Sequence, residues 1–347
     1  MDLQEKFDKI LQGISQKEAA YVKMAVIGQP GAGKSTLINR LIGKKVAETG
    51  SDTDNTTEAT EYEYNFQKIV DTPGYATDKF KFEYWKDKFK PQQYDLFIYV
   101  FKDKFKTEDE LLFDNLKDWN TERQRPIFLV RNHSEDLSEE DKKLITKDVV
   151  SHLKTNEKVY FVDCRYKTGL SDLSEAISKT DFQKVWHERV YKAYKGAKNE
   201  YLESSRSASQ EEISFYCKLA TANGINPFFG ADVAADIAIY FKMFGAIREK
   251  YAIDANDFSK YALPIAKKLL ELLTKEGVMI LLKNFAGKAT ARTVLKYIPF
   301  AGQAAAAALS YKMASYAGEN YDEDCYKFSD EVMEELIQKK MSELTIQ

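Results

Sequence analysis

Eight consecutive residues, Gly28-Gln29-Pro30-Gly31-Ala32-Gly33-Lys34-Ser35, satisfy the spacing G-x-x-x-x-G-K-S/T at every fixed position. In such a loop the glycines let the backbone curl until successive N–H groups point at phosphate oxygens. The lysine, here Lys34, reaches the outer phosphates, and the hydroxyl of Ser35 is placed to ligate Mg²⁺. Pro30 and Ala32 inside the loop and Thr36 after it complete the set expected to touch a nucleotide. A second group, Asp71-Thr72-Pro73-Gly74, has the spacing D-x-x-G. Its Asp71 can hold the metal through water while the Gly74 N–H senses a terminal phosphate.

These groups need rigid supports, and the sequence places them. Met24-Ala25-Val26-Ile27 is an apolar run directly before the loop, and Thr36 to Ile42 reads as a helix after it, so the context is strand, loop, helix. Gln67 to Val70 leads into Asp71 as the end of a strand. Residues 95–101 and 126–130 are buried-strand runs with a helix predicted over 108–119, and 158–162 is the last strand. Glu48 to Thr60 is polar and without period, a long loop for a compact domain. The lysine and aromatic residues of 79–90 are expected to form an amphipathic helix, and no nucleic-acid partner is expected.

The chain has 347 residues, enough for two domains. A net charge of −3 gives no global pull toward nucleic acid or anionic membrane. Cys164, Cys217 and Cys325 lie far apart without metal-like spacing, as expected of packing residues in a reducing compartment. No apolar stretch precedes a small-residue cleavage site near the N-terminus, so a cytoplasmic location is expected.

From about residue 181 strand signals cease and helical runs follow. Residues 2 to about 20 put Leu3, Phe7, Ile10, Leu11 and Ile14 on one helical face, expected to dock on the C-terminal helices. Ser204 to Ser209 reads as a turn. The expected layout is an N-terminal helix (1–21) packing with a helical domain, an α/β nucleotide domain (22–180) and a C-terminal all-α domain (181–347). Two segments, 225–244 and 297–317, each open with P-F-x-G before an apolar, alanine-rich run. They read either as alanine-mediated helix packing or as a surface that inserts reversibly into a membrane or meets a protein partner.

Taken in order, GQPGAGKS, the 48–60 loop, DTPG, RNHSED and DCRYKTGL resemble the translation-factor-class P-loop GTPases, near the Era-like and dynamin-like branches. The flanking helices resemble the immunity-related GTPases and bacterial relatives with a C-terminal helical domain. The resemblance implies an α/β fold with a mostly parallel sheet, GTP/GDP and Mg²⁺ as ligands, and GTP hydrolysis. It also implies a homodimer or nucleotide-dependent oligomer. Thr56 or Thr57 would complete the metal shell and, with Lys34, Ser35 and Gly74, serve catalysis. Asn132, His133 and Glu135 stand where the family has N-K-x-D, with His for Lys and Glu for Asp; Asp136 is an alternative carboxylate. Cys164 and Arg165 stand in the loop that closes over the base, with the Cys164 N–H facing the guanine carbonyl. Tyr75 and Ala76 replace a water-orienting Gln, so slow intrinsic hydrolysis is expected, and Gly31 replaces the asparagine of potassium-activated relatives. An interaction module with negligible turnover and an ATPase are the rival readings.

Overall fold

The computed structural model describes residues 2–47, 60–64, 67–72, 89, 91–120, 125–155, 157–222, 233–287 and 302–344. The chain divides into two compact units, one of residues 15–192 with the last three residues, the other of residues 1–14 and 193–344.

The first unit is built on a six-stranded sheet in the order β2-β3-β1-β4-β5-β6. Its strands are β1 (Val22–Gly28), β2 (Thr60–Tyr64), β3 (Gln67–Asp71), β4 (Leu96–Phe101), β5 (Ile127–Arg131) and β6 (Val159–Phe161). All neighbours are parallel except β2 on β3. Every residue of β1 and β4 is buried, as expected of predominantly apolar parallel strands covered on both faces; the one charged residue, Lys23 of β1, is paired with Glu18. Helices α2 (Lys34–Ile42), α3 (Thr107–Asn120), α4 (Glu139–Leu153) and α5 (Leu170–Ser178) connect or follow the strands. One core joins Ala25, Ile27, Phe97, Tyr99, Leu129, Leu112, Phe113 and Val149. Helix α4 begins with a capping box: Ser138 Oγ accepts from the Asp141 N–H and the Asp141 carboxylate accepts from the Ser138 N–H.

A buried ion network ties the start of this sheet together. Arg189 donates to both Asp95 oxygens at 2.9 and 3.0 Å, to Glu18 at 2.6 Å and to the Tyr21 carbonyl at 2.7 Å. Asp95 also accepts the backbone N–H of Lys23 at 2.9 Å, and the Lys23 ammonium pairs with Glu18. Arg189 and Asp95 are 4% and 0% exposed, so each depends on the other for its charge balance.

The second unit is helical. It contains α1 (Leu3–Ile14), α7 (Val233–Lys250), the short α8 (Asp257–Lys260), α9 (Pro264–Glu271), α10 (Lys275–Gly287) and α11 (Gly302–Glu343), and most of α6 (Gln183–Ala222). Helix α1 buries Leu3, Phe7 and Leu11 as its period predicts, with Phe7 edge-on to Tyr201 of α6. Its regular part ends at Ile14, short of residue 20, and Ser15–Ala19 winds into a wider π turn.

The turn expected at Ser204 to Ser209 is absent, since α6 runs through it without a break. Tertiary partners override the local preference of serine. Ser209 Oγ donates to the buried carboxylate of Asp322 on α11, to which the Tyr251 hydroxyl also donates at 2.8 Å.

Further along the same helix pair, Glu334 accepts from Lys195 and Lys198 at 2.8 and 2.9 Å. Desolvation pushes the Glu334 carboxyl up, but these lysines outweigh it and hold the group down at about 2. A carboxylate depressed in the fold stabilises fully above its unfolded value near 4.5, and that stability is lost as pH falls toward 2. Glu334→Gln is therefore expected to destabilise the helical unit at neutral pH, with the difference from the parent shrinking steadily below pH 4.5 and vanishing near 2. Amide hydrogen exchange of α6 and α11 as a function of pH measures it.

Candidate functional site

The phosphate-type loop leaves the end of β1 at the C-terminal edge of the sheet, the position where open α/β sheets bind ligands. It enters α2 through Gly33, whose backbone is left-handed (φ 87°). A Cβ at Gly33 would lie 2.4 Å from Nδ2 of Asn132, so conformation and space both demand glycine. Gly33 has no side chain to cap α2, which leaves the first-turn N–H groups to an anion. The Lys34 ammonium is buried and donates to the carbonyls of Gly28 and Gln29 at 3.3 and 3.1 Å, bent back over the loop.

Ser35 Oγ donates to Asp71 Oδ2 at 2.6 Å, joining the start of α2 to the end of β3. A hydroxyl and a carboxylate side by side beside an anion-seeking helix terminus are the hard oxygen donors Mg²⁺ takes, since that ion keeps several waters and few protein ligands. The donor set fits the ion. Thr72 closes the strand end by donating to the Val26 carbonyl at 2.8 Å.

Asn132 is the connector. It is buried at the end of β5, its Nδ2 donating to the Ala32 carbonyl at 2.8 Å and its Oδ1 accepting the Cys164 N–H at 3.2 Å. The Cys164 N–H assigned to the guanine carbonyl is thus engaged by Asn132. The loop after β6 is shaped by Asp163, which accepts the N–H groups of Arg165 and Tyr166 and pairs with Thr168. Arg40 of α2 donates to the Cys164 carbonyl at 2.7 Å. Burial, then the neighbouring Asp163, pushes the Cys164 thiol up to about 12, so it packs and does not act as a nucleophile.

His133, Glu135, Asp136 and Arg165 are exposed around this loop, with His133 at φ 57°. Desolvation, then the carboxylates of Asp163 and Asp136, raises the Glu135 carboxyl above its ordinary value. Pro30 and Thr36 are half-buried and Ala32 fully buried in the loop and first turn. Thr56, Thr57 and Gly74, with Tyr75 and Ala76, lie outside the described residues.

Gln29 was hidden by the pattern, where it fills an unspecified position. Its buried side chain accepts from the N–H groups of Lys102 and Asp103 at 3.1 and 3.2 Å, and donates to Asp109 of α3 at 2.9 Å. Asp109 in turn accepts from Tyr99 and from the Lys106 N–H. The sequence signal was a polar residue directly after the apolar run Met24 to Ile27 and its closing Gly28.

Residues 23–133 match the model of the 50S ribosome-binding GTPase family. The chain is 26% identical to GTPase Der of Buchnera aphidicola over 258 residues, 70% of this chain and 56% of the relative. It is 29% identical to GTPase Era of Fusobacterium nucleatum over 163 residues, 44% of this chain and 54% of the relative. Against interferon-gamma-inducible GTPase 10 of Mus musculus it is 33% identical over 123 residues, 33% of this chain and 30% of that one. The chain spans about half the length of the first two relatives. Loop, strand order, Ser35–Asp71 contact and the match over residues 23–133 agree on a P-loop nucleotide-binding fold similar to that of this GTPase family.

Proposed function

We propose that this chain binds guanine nucleotide with Mg²⁺ and hydrolyses GTP to GDP and phosphate, as a switch. The carrying observation is the 2.6 Å contact of Ser35 with Asp71 beside an uncapped α2 and Lys34. Mg²⁺, when bound, would be held by Ser35 and through Asp71, and it neutralises charge on the outer phosphates. The α2 N-terminus and loop N–H groups orient the phosphates, and Lys34 places its ammonium on them. Asn132 holds the phosphate loop and the base loop in one register, and Glu135 or Asp136 supplies the carboxylate for guanine. Thr56 or Thr57 and Gly74 are assigned to the terminal phosphate by resemblance to the family. Turnover is expected to be slow without a second subunit or a partner, because Tyr75 follows Gly74.

The proposal extends to nucleotide-dependent self-association in the cytoplasm and to a membrane or protein contact through 225–244 and 297–317. The described parts of those segments bury Tyr240, Met243 and Phe244 in α7 and Met313, Ala314 and Ala317 in α11. That burial favours helix packing for this portion; residues 225–232 and 297–301 lie outside the described residues. Among the described residues no helix is long and apolar enough to cross a membrane.

The test is competition of GTP and ATP for bound fluorescent GDP, followed by phosphate release with and without Mg²⁺. Guanine preference of at least about tenfold, a difference of about 1.4 kcal/mol, with metal-dependent release is expected. Adenine preference or no binding overturns the reading. Binding without release would support the low-turnover interaction module.

A further inference from the structure

We propose that Lys102 is a second phosphate-directed cation of the nucleotide site, one that no part of the recognised motifs supplies. The inference rests on the nucleotide-binding reading and adds a residue to it.

Lys102 is the first residue after β4, the strand lying between β1 and β5. Three neighbouring strand ends are locked at one level here. The Gln29 N–H donates to the Val100 carbonyl at 3.0 Å and the Asn132 N–H to the Phe101 carbonyl at 2.9 Å. The exit of β4 is then pinned to the phosphate loop by Gln29, whose Oε1 accepts the N–H groups of both Lys102 and Asp103. From this fixed base the side chain leans over the loop. A Cβ at Gly31 would lie 3.3 Å from Lys102 Nζ and 3.9 Å from its Cε. Gly31 has a left-handed backbone (φ 66°), and the ammonium stands close beside the place its missing side chain leaves open.

The ordinary alternative is a solvated surface lysine. Three observations oppose it. The residue is half-buried, its backbone is held by a buried glutamine, and its ammonium stands beside Gly31 of the phosphate loop. The loop's own lysine donates hydrogen bonds to the Gly28 and Gln29 carbonyls, whereas among the described residues Lys102 Nζ has no hydrogen bond or ion pair. An ammonium without a counter-charge among the described residues, on a pinned backbone beside N–H groups arranged for an anion, is completed by the anion itself. Diphosphate-bearing nucleotides supply that charge, and the pinned backbone starts the lysine stem at the edge of the phosphate loop.

The experiment measures binding of fluorescent GDP and GTP to the full chain and to Lys102→Met and Lys102→Arg. Loss of one charge-assisted contact is expected to weaken both nucleotides by about tenfold or more in Lys102→Met and to flatten the salt dependence of binding. Lys102→Arg keeps the charge and is expected to retain affinity within about threefold, a difference under 1 kcal/mol. The urea midpoint of the nucleotide-free protein is expected to stay unchanged in both, which separates a ligand contact from a structural one. ³¹P resonances of bound GDP are expected to move in Lys102→Met. Affinity of Lys102→Met within twofold of the parent overturns the proposal, as does an equal loss in both variants. Failure of the unsubstituted chain to bind either nucleotide would instead overturn the underlying reading.

Discussion

Arg189→Ala is expected to remove about 3–5 kcal/mol from the stability of the sheet-containing unit, the usual consequence of stripping one partner from a buried ion pair. Asp95 would be left without solvent, holding one backbone N–H and no cation. Among the described residues Glu18 would keep Lys23 as its one cation. The cost comes from the orphaned charge more than from the lost attraction, so a neutral pair should recover much of it. Arg189→Met combined with Asp95→Asn keeps an acceptor for the Lys23 N–H and removes the stranded carboxylate. It is expected to be more stable than Arg189→Met alone. Amide exchange in β1 and β4 reports the opening free energy of this unit without assuming that the whole chain unfolds in one step. An Arg189→Ala protein whose β1 amides exchange at the parent's rate would refute the assignment.

Lys34→Ala is expected to lower nucleotide affinity by at least about a hundredfold, as removal of a charged hydrogen-bonding group from a dry, phosphate-facing site does. The ammonium sits over the loop already, held by two carbonyls that outline the curve the phosphates must follow. Its removal therefore deletes a ligand contact and loosens the loop's own closure. Isothermal titration with GDP in Mg²⁺ measures the first effect. Amide exchange over residues 28–35 in the nucleotide-free state measures the second. Affinity for GDP within tenfold of the parent would sink the assignment of Lys34 to the phosphates.

What was legible in the chain follows from where each constraint lives. The strand, loop and helix around Gly28 to Ser35, and the strand ending at Asp71, were readable because they depend on local backbone form and on residue type at short spacing. The burial of Leu3, Phe7 and Leu11 was readable because a helix writes its inner face into every third or fourth residue. Arg189 and Asp95 were not, since 94 residues separate them and nothing local marks a pair that meets only in the folded sheet. Gln29 was invisible for a different reason, being a wildcard in the pattern that describes its neighbours. The serine run at 204–209 misled because local preference for a turn was outweighed by partners on α11. The boundary between the compact units falls after Lys192, later than the loss of strand signals near 181. Phe182, Val185, Trp186 and Arg189 are helical in pattern yet belong to the sheet-containing unit.

The amide of Asn132 has an implication for which letters that stretch of chain can tolerate. It gives a proton on one side, to the Ala32 carbonyl, and takes one on the other, from the Cys164 N–H. Turning the amide over would set oxygen against oxygen and N–H against N–H, so its orientation is dictated from both ends. Aspartate would face the Ala32 carbonyl with a second acceptor, leucine would leave both neighbours dry and unmatched, and glutamine is one methylene too long. His133 and Glu135 point to water and carry no such two-sided demand. A stretch that departs from N-K-x-D at its second and fourth positions while keeping its first is consistent with this asymmetry: the connector is held by the fold itself, and the letters beside it answer only to what they bind.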